Sequence, residues 1–102
     1  MITLSARETK NIQEKVVGLI GKKEPENLLI KTHFGIHTFG LKFPIDVLIL
    51  DNKNEVVSIK KSLKPYRIFL WNPIYEKVIE LPSGTIKNKS IAMHDTIDIK
   101  LT

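Results

Sequence analysis

Residues 44–50 constrain this chain more than any other part of it. Ile45, Val47 and Ile49 alternate with Leu48 and Leu50, so a strand through them turns apolar side chains to both faces of its sheet. A strand of that kind belongs at the centre of a sheet covered on both sides. Asp46 breaks the run and shares a face with Leu48 and Leu50. A carboxyl group in that position has to be paired, protonated or set at the mouth of a cavity, because a bare buried charge is prohibitive.

Around this strand the chain reads as a series of short ones. Strands are predicted over 1–8, 28–31, 36–41, 55–60, 66–71, 75–81 and 96–101, with Ile97, Ile99 and Leu101 alternating cleanly against Thr96, Asp98 and Lys100. Turn chemistry separates them at Phe43-Pro44, Asp51-Asn52-Lys53-Asn54, Lys64-Pro65, Asn72-Pro73 and Pro82-Ser83-Gly84. One helix is predicted near 11–21, where Ile12, Val16, Leu19 and Ile20 share a helical face, Asn11 serves as N-cap, and Gly21 ends the run. The pattern predicts a mainly β fold with one helix, a β-sandwich or a partly open barrel. The length of 102 residues fits a single domain, 1–102.

The chain has no cysteine, which removes disulfides, thiolate metal sites and cysteine nucleophiles. No apolar run approaches the roughly 20 residues of a membrane-spanning helix, and no leader pattern precedes the first strand, so a cytoplasmic address is expected. Sixteen basic residues face eleven acidic ones, and fourteen of the sixteen are lysine. The surplus is spread along the chain, which suits a solvated lysine surface, while a nucleic-acid footprint remains the alternative.

The run Ile36-His37-Thr38-Phe39-Gly40-Leu41-Lys42-Phe43-Pro44-Ile45-Asp46-Val47, with Leu50-Asp51 after it and Glu80-Leu81-Pro82-Ser83-Gly84 further on, resembles the family filed as domain of unknown function 192. Gly18-Leu19-Ile20-Gly21-Lys22 is similar to that family's Gly-Leu-Met or Gly-Leu-Leu segment, so the resemblance covers about the whole chain. It implies a β-rich, jelly-roll-like fold with one helix, and no particular activity. The chain departs from the family before the last strand, where His94-Asp95 stands in place of Gly-Asp. A turn usually made with glycine must then be made with histidine, which tolerates positive φ at some cost.

Four polar residues in these motifs are ligand-binding candidates: His37, Thr38, Asp46 and Glu80. In an extended segment His33 and His37 point to the same side, and with Asp46 on the next strand they make a candidate metal set. The structural alternatives are that His37 and Thr38 satisfy backbone groups at a strand end, that Asp46 accepts backbone amides or pairs with Lys42, and that Glu80 holds the Pro82-Ser83-Gly84 turn. Lys60, Lys61, Lys64, Arg67 and Trp71 are the nucleic-acid candidates, since basic side chains beside stacking aromatics hold single strands. Aromatic residues in a strand, such as Trp71 and Phe69, are more often core residues than stacking platforms.

Glycine-rich phosphate loops, Gly-x-Ser-x-Gly elbows and His-Glu-x-x-His helices are absent from the sequence. Three readings follow. The first is a small-ligand or ion binding module with a polar rim of His37, Thr38, Asp46 and Glu80. The second is a metal-assisted hydrolase with His33, His37 and Asp46 as ligands and Glu80 as base. The third is weak nucleic-acid binding by the basic and aromatic face. Cofactor, ligand identity and oligomeric state are not specified by the residues.

Overall fold

The computed structural model describes residues 1–9 and 26–102. The helix expected near 11–21 lies outside the described residues. Among the described residues the strands are β1 (Ile2–Thr9), β2 (Leu28–Lys31), β3 (Ile36–His37), β4 (Ile45–Leu50), β5 (Val56–Leu63), β6 (Ile68–Phe69), β7 (Lys77–Pro82) and β8 (Ile97–Leu101), with a short helix α1 (Thr85–Asn88) after β7.

Six strands form one sheet in the order β5-β4-β7-β2-β1-β8, and β3 with β6 forms a separate two-stranded sheet. As its sequence requires, β4 is interior, flanked by antiparallel β5 and β7 and buried at every position. β1 runs parallel to both β2 and β8. The two outer strands approach one another at one end, where Glu55 bridges Thr96 and the Val56 amide donates to the Asp95 carbonyl at 2.9 Å. The sheet is therefore curled into a partly open barrel.

Each face carries its own core. Leu48 and Leu50 project to one side with Leu4, Ala6, Leu29, Ile79 and Leu81, where Val56 and Ile97 from the two outer strands also meet. That convergence marks the concave side, and Ile86 of α1 and Ile91 beyond it plug it. Ile45, Val47 and Ile49 project to the convex side with Leu28, Ile30 and Val78, under the small β3/β6 sheet that contributes Ile36 and Phe69. Burying several such side chains at about 1.5–3 kcal/mol each on both faces makes β4 the axis of the fold.

Two expected strands are much shorter than predicted. The run over 36–41 ends at His37, because a turn occupies Phe39 and Gly40, with Gly40 at φ 87°. The run over 66–71 is reduced to Ile68–Phe69, because Tyr66 takes φ 61°, a left-handed conformation that turns the chain out of the extended path. The Pro82-Ser83-Gly84 turn leads directly into α1, which the sequence reading did not anticipate. Gly35 sits at φ 93°, and a Cβ there would lie 2.5 Å from Leu70 Cδ2 and 2.9 Å from the Phe69 carbonyl oxygen, so only glycine lets β3 approach β6. The histidine turn before β8 forms, with His94 at φ 73°, its amide donating to the Val56 carbonyl at 2.9 Å and Asp95 accepting from the Ala92 amide.

Candidate functional site

Asp46 is 1% exposed and faces the concave core. Its Oδ1 accepts the Ser62 amide at 2.9 Å, and its Oδ2 accepts the amides of Gly84 and Ile86, each at 3.0 Å. Three donors from two distant segments thus converge on one carboxyl group, and Lys42 is not among its partners. Ser62 is held at φ 51° where the β4/β5 register shifts: Val47 pairs Lys60, but two residues earlier Ile45 pairs Leu63. The extra residue in β5 is a bulge, and Asp46 is its anchor. The Pro82-Ser83-Gly84 turn, assigned on sequence grounds to Glu80, is also fastened by Asp46.

Glu80 lies opposite Val47 and Leu28, whereas Asp46 lies opposite Leu81, so the two acids occupy opposite faces of the sheet. His37 belongs to the small sheet on the convex side, paired with Ile68, and is likewise across the sheet from Asp46. The proposed rim of His37, Thr38, Asp46 and Glu80 is therefore divided by the sheet itself. Period two in β4 and β7 set this outcome, since Asp46 is one residue from Val47 and Glu80 is one residue from Leu81.

The extended run expected to put His33 and His37 on one side is broken by a bend at His33 and Phe34 and by the positive φ of Gly35. His33 Nδ1 is 2.6 Å from the Pro73 carbonyl oxygen and its Nε2 3.2 Å from Glu76 Oε2, at the border of a cleft of about 150 Å³ lined also by Asp51, Tyr75 and Lys77. Among the described residues no three His, Asp or Glu side chains are placed to hold a metal ion, so His33, His37 and Asp46 are not a ligand set. Asp51 in that cleft accepts the Glu55 amide at 2.9 Å and the Lys53 amide at 2.8 Å. Chiefly through the Glu55 amide, which outweighs partial desolvation, its carboxyl is held below the usual carboxylate range.

Thr38 is fully buried and organises a different place. Its hydroxyl donates to the Lys64 carbonyl at 2.7 Å and accepts the Arg67 amide at 2.9 Å. Its own amide donates to the Arg67 carbonyl at 2.9 Å, and its carbonyl accepts the Tyr66 amide at 3.2 Å. One threonine thereby dictates the path of 64–67, including the left-handed Tyr66. Between this turn and the β5 bulge lies a depression of about 290 Å³ lined by Lys60, Ser62, Leu63, Lys64 and Arg67. The Ser62 hydroxyl is 2.7 Å from that of Ser83. Lys60, Lys61, Lys64 and Arg67 are all exposed and make no ion pair with any described residue.

The aromatic component of this face differs from the expected one. Trp71 points inward, its Nε1 donating to the Tyr75 carbonyl at 2.8 Å and its ring 5.8 Å from that of Phe69 over the convex core. The outward side carries Tyr66 and Ile68, exposed at 66% and 63%, and Leu70 at 67%. Phe39 stacks on His37 with centroids 5.2 Å apart and leads to Tyr66 at 6.4 Å. The alternation in 66–71 separates these two sets of side chains. Which set faces the core is decided by Phe69 pairing with buried Ile36, a long-range contact without a local signal. Ser62, Ser83, Phe39 and Tyr66 are the residues of this face that sequence reasoning missed.

The model of the DUF192 family, described as "Uncharacterized ACR", matches residues 3–99. A UPF0127 protein of Pyrococcus furiosus is 26% identical over 104 residues, covering 95% of this chain and 88% of that protein. A UPF0127 protein of Thermococcus sibiricus is 35% identical over 63 residues, 62% of this chain but only 40% of the relative's length. The crystal structure of a protein of unknown function from Novosphingobium aromaticivorans superposes with a TM-score of 0.68 at 17% identity, over 92% of this chain and 71% of that one. At that identity the likeness speaks for the fold alone.

Proposed function

Because the chain belongs to the DUF192 family, whose description assigns no activity, we propose its function from the site itself: it is a small binding module for anionic ligands, seated at the depression between β5 and the 64–67 turn. One observation carries this reading. Lys60, Lys64 and Arg67 converge on a single concavity, and no carboxylate among the described residues neutralises them. A solvated lysine surface disperses its charges, whereas here their repulsion is maintained by a bulge and a turn that Asp46 and Thr38 fasten. Arg67 supplies a planar fork for a phosphate or carboxylate, the lysines supply point charge, and the Ser62 and Ser83 hydroxyls add donors at the border.

No helix among the described residues is long and apolar enough to cross a membrane. The cytoplasmic address expected from the sequence belongs with the same proposal, since phosphorylated ligands are abundant there.

Titration with inorganic pyrophosphate at low salt, followed by amide chemical shifts, tests the reading. Shifts are expected to concentrate at 60–67 and to disappear in the double variant Lys64→Glu, Arg67→Glu, with the thermal midpoint within a few degrees of the parent because both side chains are exposed. Shifts scattered evenly over all the lysines, or a focus at the His33 and Glu76 cleft, would sink it.

A further inference from the structure

We infer that the ligand of this depression is a single-stranded nucleic acid, held by its phosphates at Lys60, Lys64 and Arg67 and by its bases on the rings of Tyr66 and Phe39. This rests on the anion-binding reading and narrows it to one ligand class. Tyr66 lies between Lys64 and Arg67 in the chain, so the ring and the cations are carried by one turn, and Thr38 locks both ends of it. The rings form a series, His37 to Phe39 to Tyr66, with centroids 5.2 and 6.4 Å apart. Phe39 and Tyr66 are 45% and 66% exposed, which leaves ring surface open to a base. Basic side chains beside exposed aromatic rings are the arrangement by which single strands are bound without reading of sequence.

The conformation of Tyr66 supports the assignment. A bulky residue at φ 61° costs free energy and persists only where its surroundings impose it. The Thr38 carbonyl takes the Tyr66 amide and the Thr38 hydroxyl takes the next one, so the chain maintains this strain in order to point a tyrosine at solvent. A core role does not account for it, since the residue is two-thirds exposed and its neighbours Ile68 and Leu70 face outward as well.

Two other anionic partners fit less well. A duplex keeps its bases stacked on each other and leaves Tyr66 and Phe39 nothing to stack on. An anionic membrane favours the exposed Ile68 and Leu70, but a flat bilayer does not enter a concavity lined by Lys60, Lys64 and Arg67. The charges and the rings are used together only by a flexible chain that carries both phosphates and unpaired bases.

Fluorescence anisotropy of a labelled oligothymidylate, alongside inorganic polyphosphate of matched charge, provides the test. The oligonucleotide is expected to bind more tightly than polyphosphate at low salt, with an affinity that falls with a log–log salt slope of about −2 for three phosphate contacts. Tyr66→Ala and Phe39→Ala should each weaken oligonucleotide binding by roughly tenfold while leaving polyphosphate affinity unchanged, and Tyr66→Phe should restore it. Oligonucleotide and polyphosphate binding equally, with no response to either ring, would overturn the inference and leave the anion-binding reading standing. Preference for duplex over single strand, or capture by phosphatidylserine vesicles without affinity for oligonucleotide, would overturn it too. If neither polyphosphate nor oligonucleotide binds, the anion-binding reading falls and takes this inference with it.

Discussion

Asp46 and the cations around Arg67 gather charge in contrasting ways. The Asp46 carboxyl is buried and both its oxygens accept backbone amides, three in all, so it is turned to the fold and not to solvent. Lys60, Lys61, Lys64 and Arg67 are exposed and meet no carboxylate among the described residues. The two regions are nevertheless joined, since Ser62, whose amide ends on Asp46, lines the depression the cations surround. A polar residue inside a family motif thus acts on the basic face through the backbone it fixes. If the proposed anion site is correct, Asp46 is a positioning residue for it and acts without contact to a ligand.

The strongest way to break this contrast is Asp46→Ala. Three amides lose their carboxyl acceptor in a place water enters poorly, and the expected loss is on the order of 4 kcal/mol, which lowers the thermal midpoint by about 20 °C for a domain of this size. Asp46→Asn keeps one carbonyl oxygen and should cost about half as much. Differential scanning calorimetry measures both. A variant melting with the parent would mean that the bulge and the α1 entrance stand without their anchor.

Thr38→Val probes the outward region in the same manner and should cost less, about 1–2 kcal/mol, because it removes only neutral hydroxyl bonds, to Lys64 and Arg67, and preserves shape. Urea denaturation gives the stability. Hydrogen exchange at the Arg67 amide gives the local effect, which should be faster exchange confined to the 64–67 turn. If exchange quickens across the whole sheet instead, Thr38 supports the fold at large and not the 64–67 turn alone.

Much of this architecture was legible beforehand, and the reasons differ from residue to residue. β4 and β8 were found because alternation is a local property of a strand. Asp46 was singled out because its neighbours are apolar, and its structural role as an acceptor of backbone amides was among the readings of the sequence. The identity of those amides was out of reach, because Ser62, Gly84 and Ile86 lie 16 to 40 residues away and backbone donors leave no mark in side-chain identity. The polar rim was misjudged for a related reason. His37, Asp46 and Glu80 lie near one another in motif order, but pleating assigns each to a face by odd or even position within a strand whose register is fixed elsewhere. Gly35 and Tyr66 show the remaining limit, since positive φ at a turn between two short strands cancels an alternation that looks continuous on paper.

The mildest test compares Asp46 with Asp51, which performs the same chemistry in the open. Asp51 also accepts two backbone amides, from Lys53 and Glu55, but at a turn reached by solvent. Its carboxyl is held below its ordinary value of 3.8, first by the Glu55 amide. The ionised form is therefore favoured by folding, and the stability this confers is complete above pH 3.8. As pH falls below that value the unfolded chain takes up its proton first, and the contribution is lost as pH passes through the lower folded value. Asp51→Asn should flatten the acid limb of the stability profile in this window and barely change the midpoint at neutral pH, an effect smaller than either substitution above. The measurement is a series of urea midpoints from pH 2.5 to 7, with roughly half-unit steps. If Asp51→Asn proves as damaging at neutral pH as Asp46→Asn, then the number of amides accepted sets the worth of these carboxylates. If it is as mild as expected, burial sets it, and the anchor beneath the basic face owes its strength to the apolar strand on which it sits.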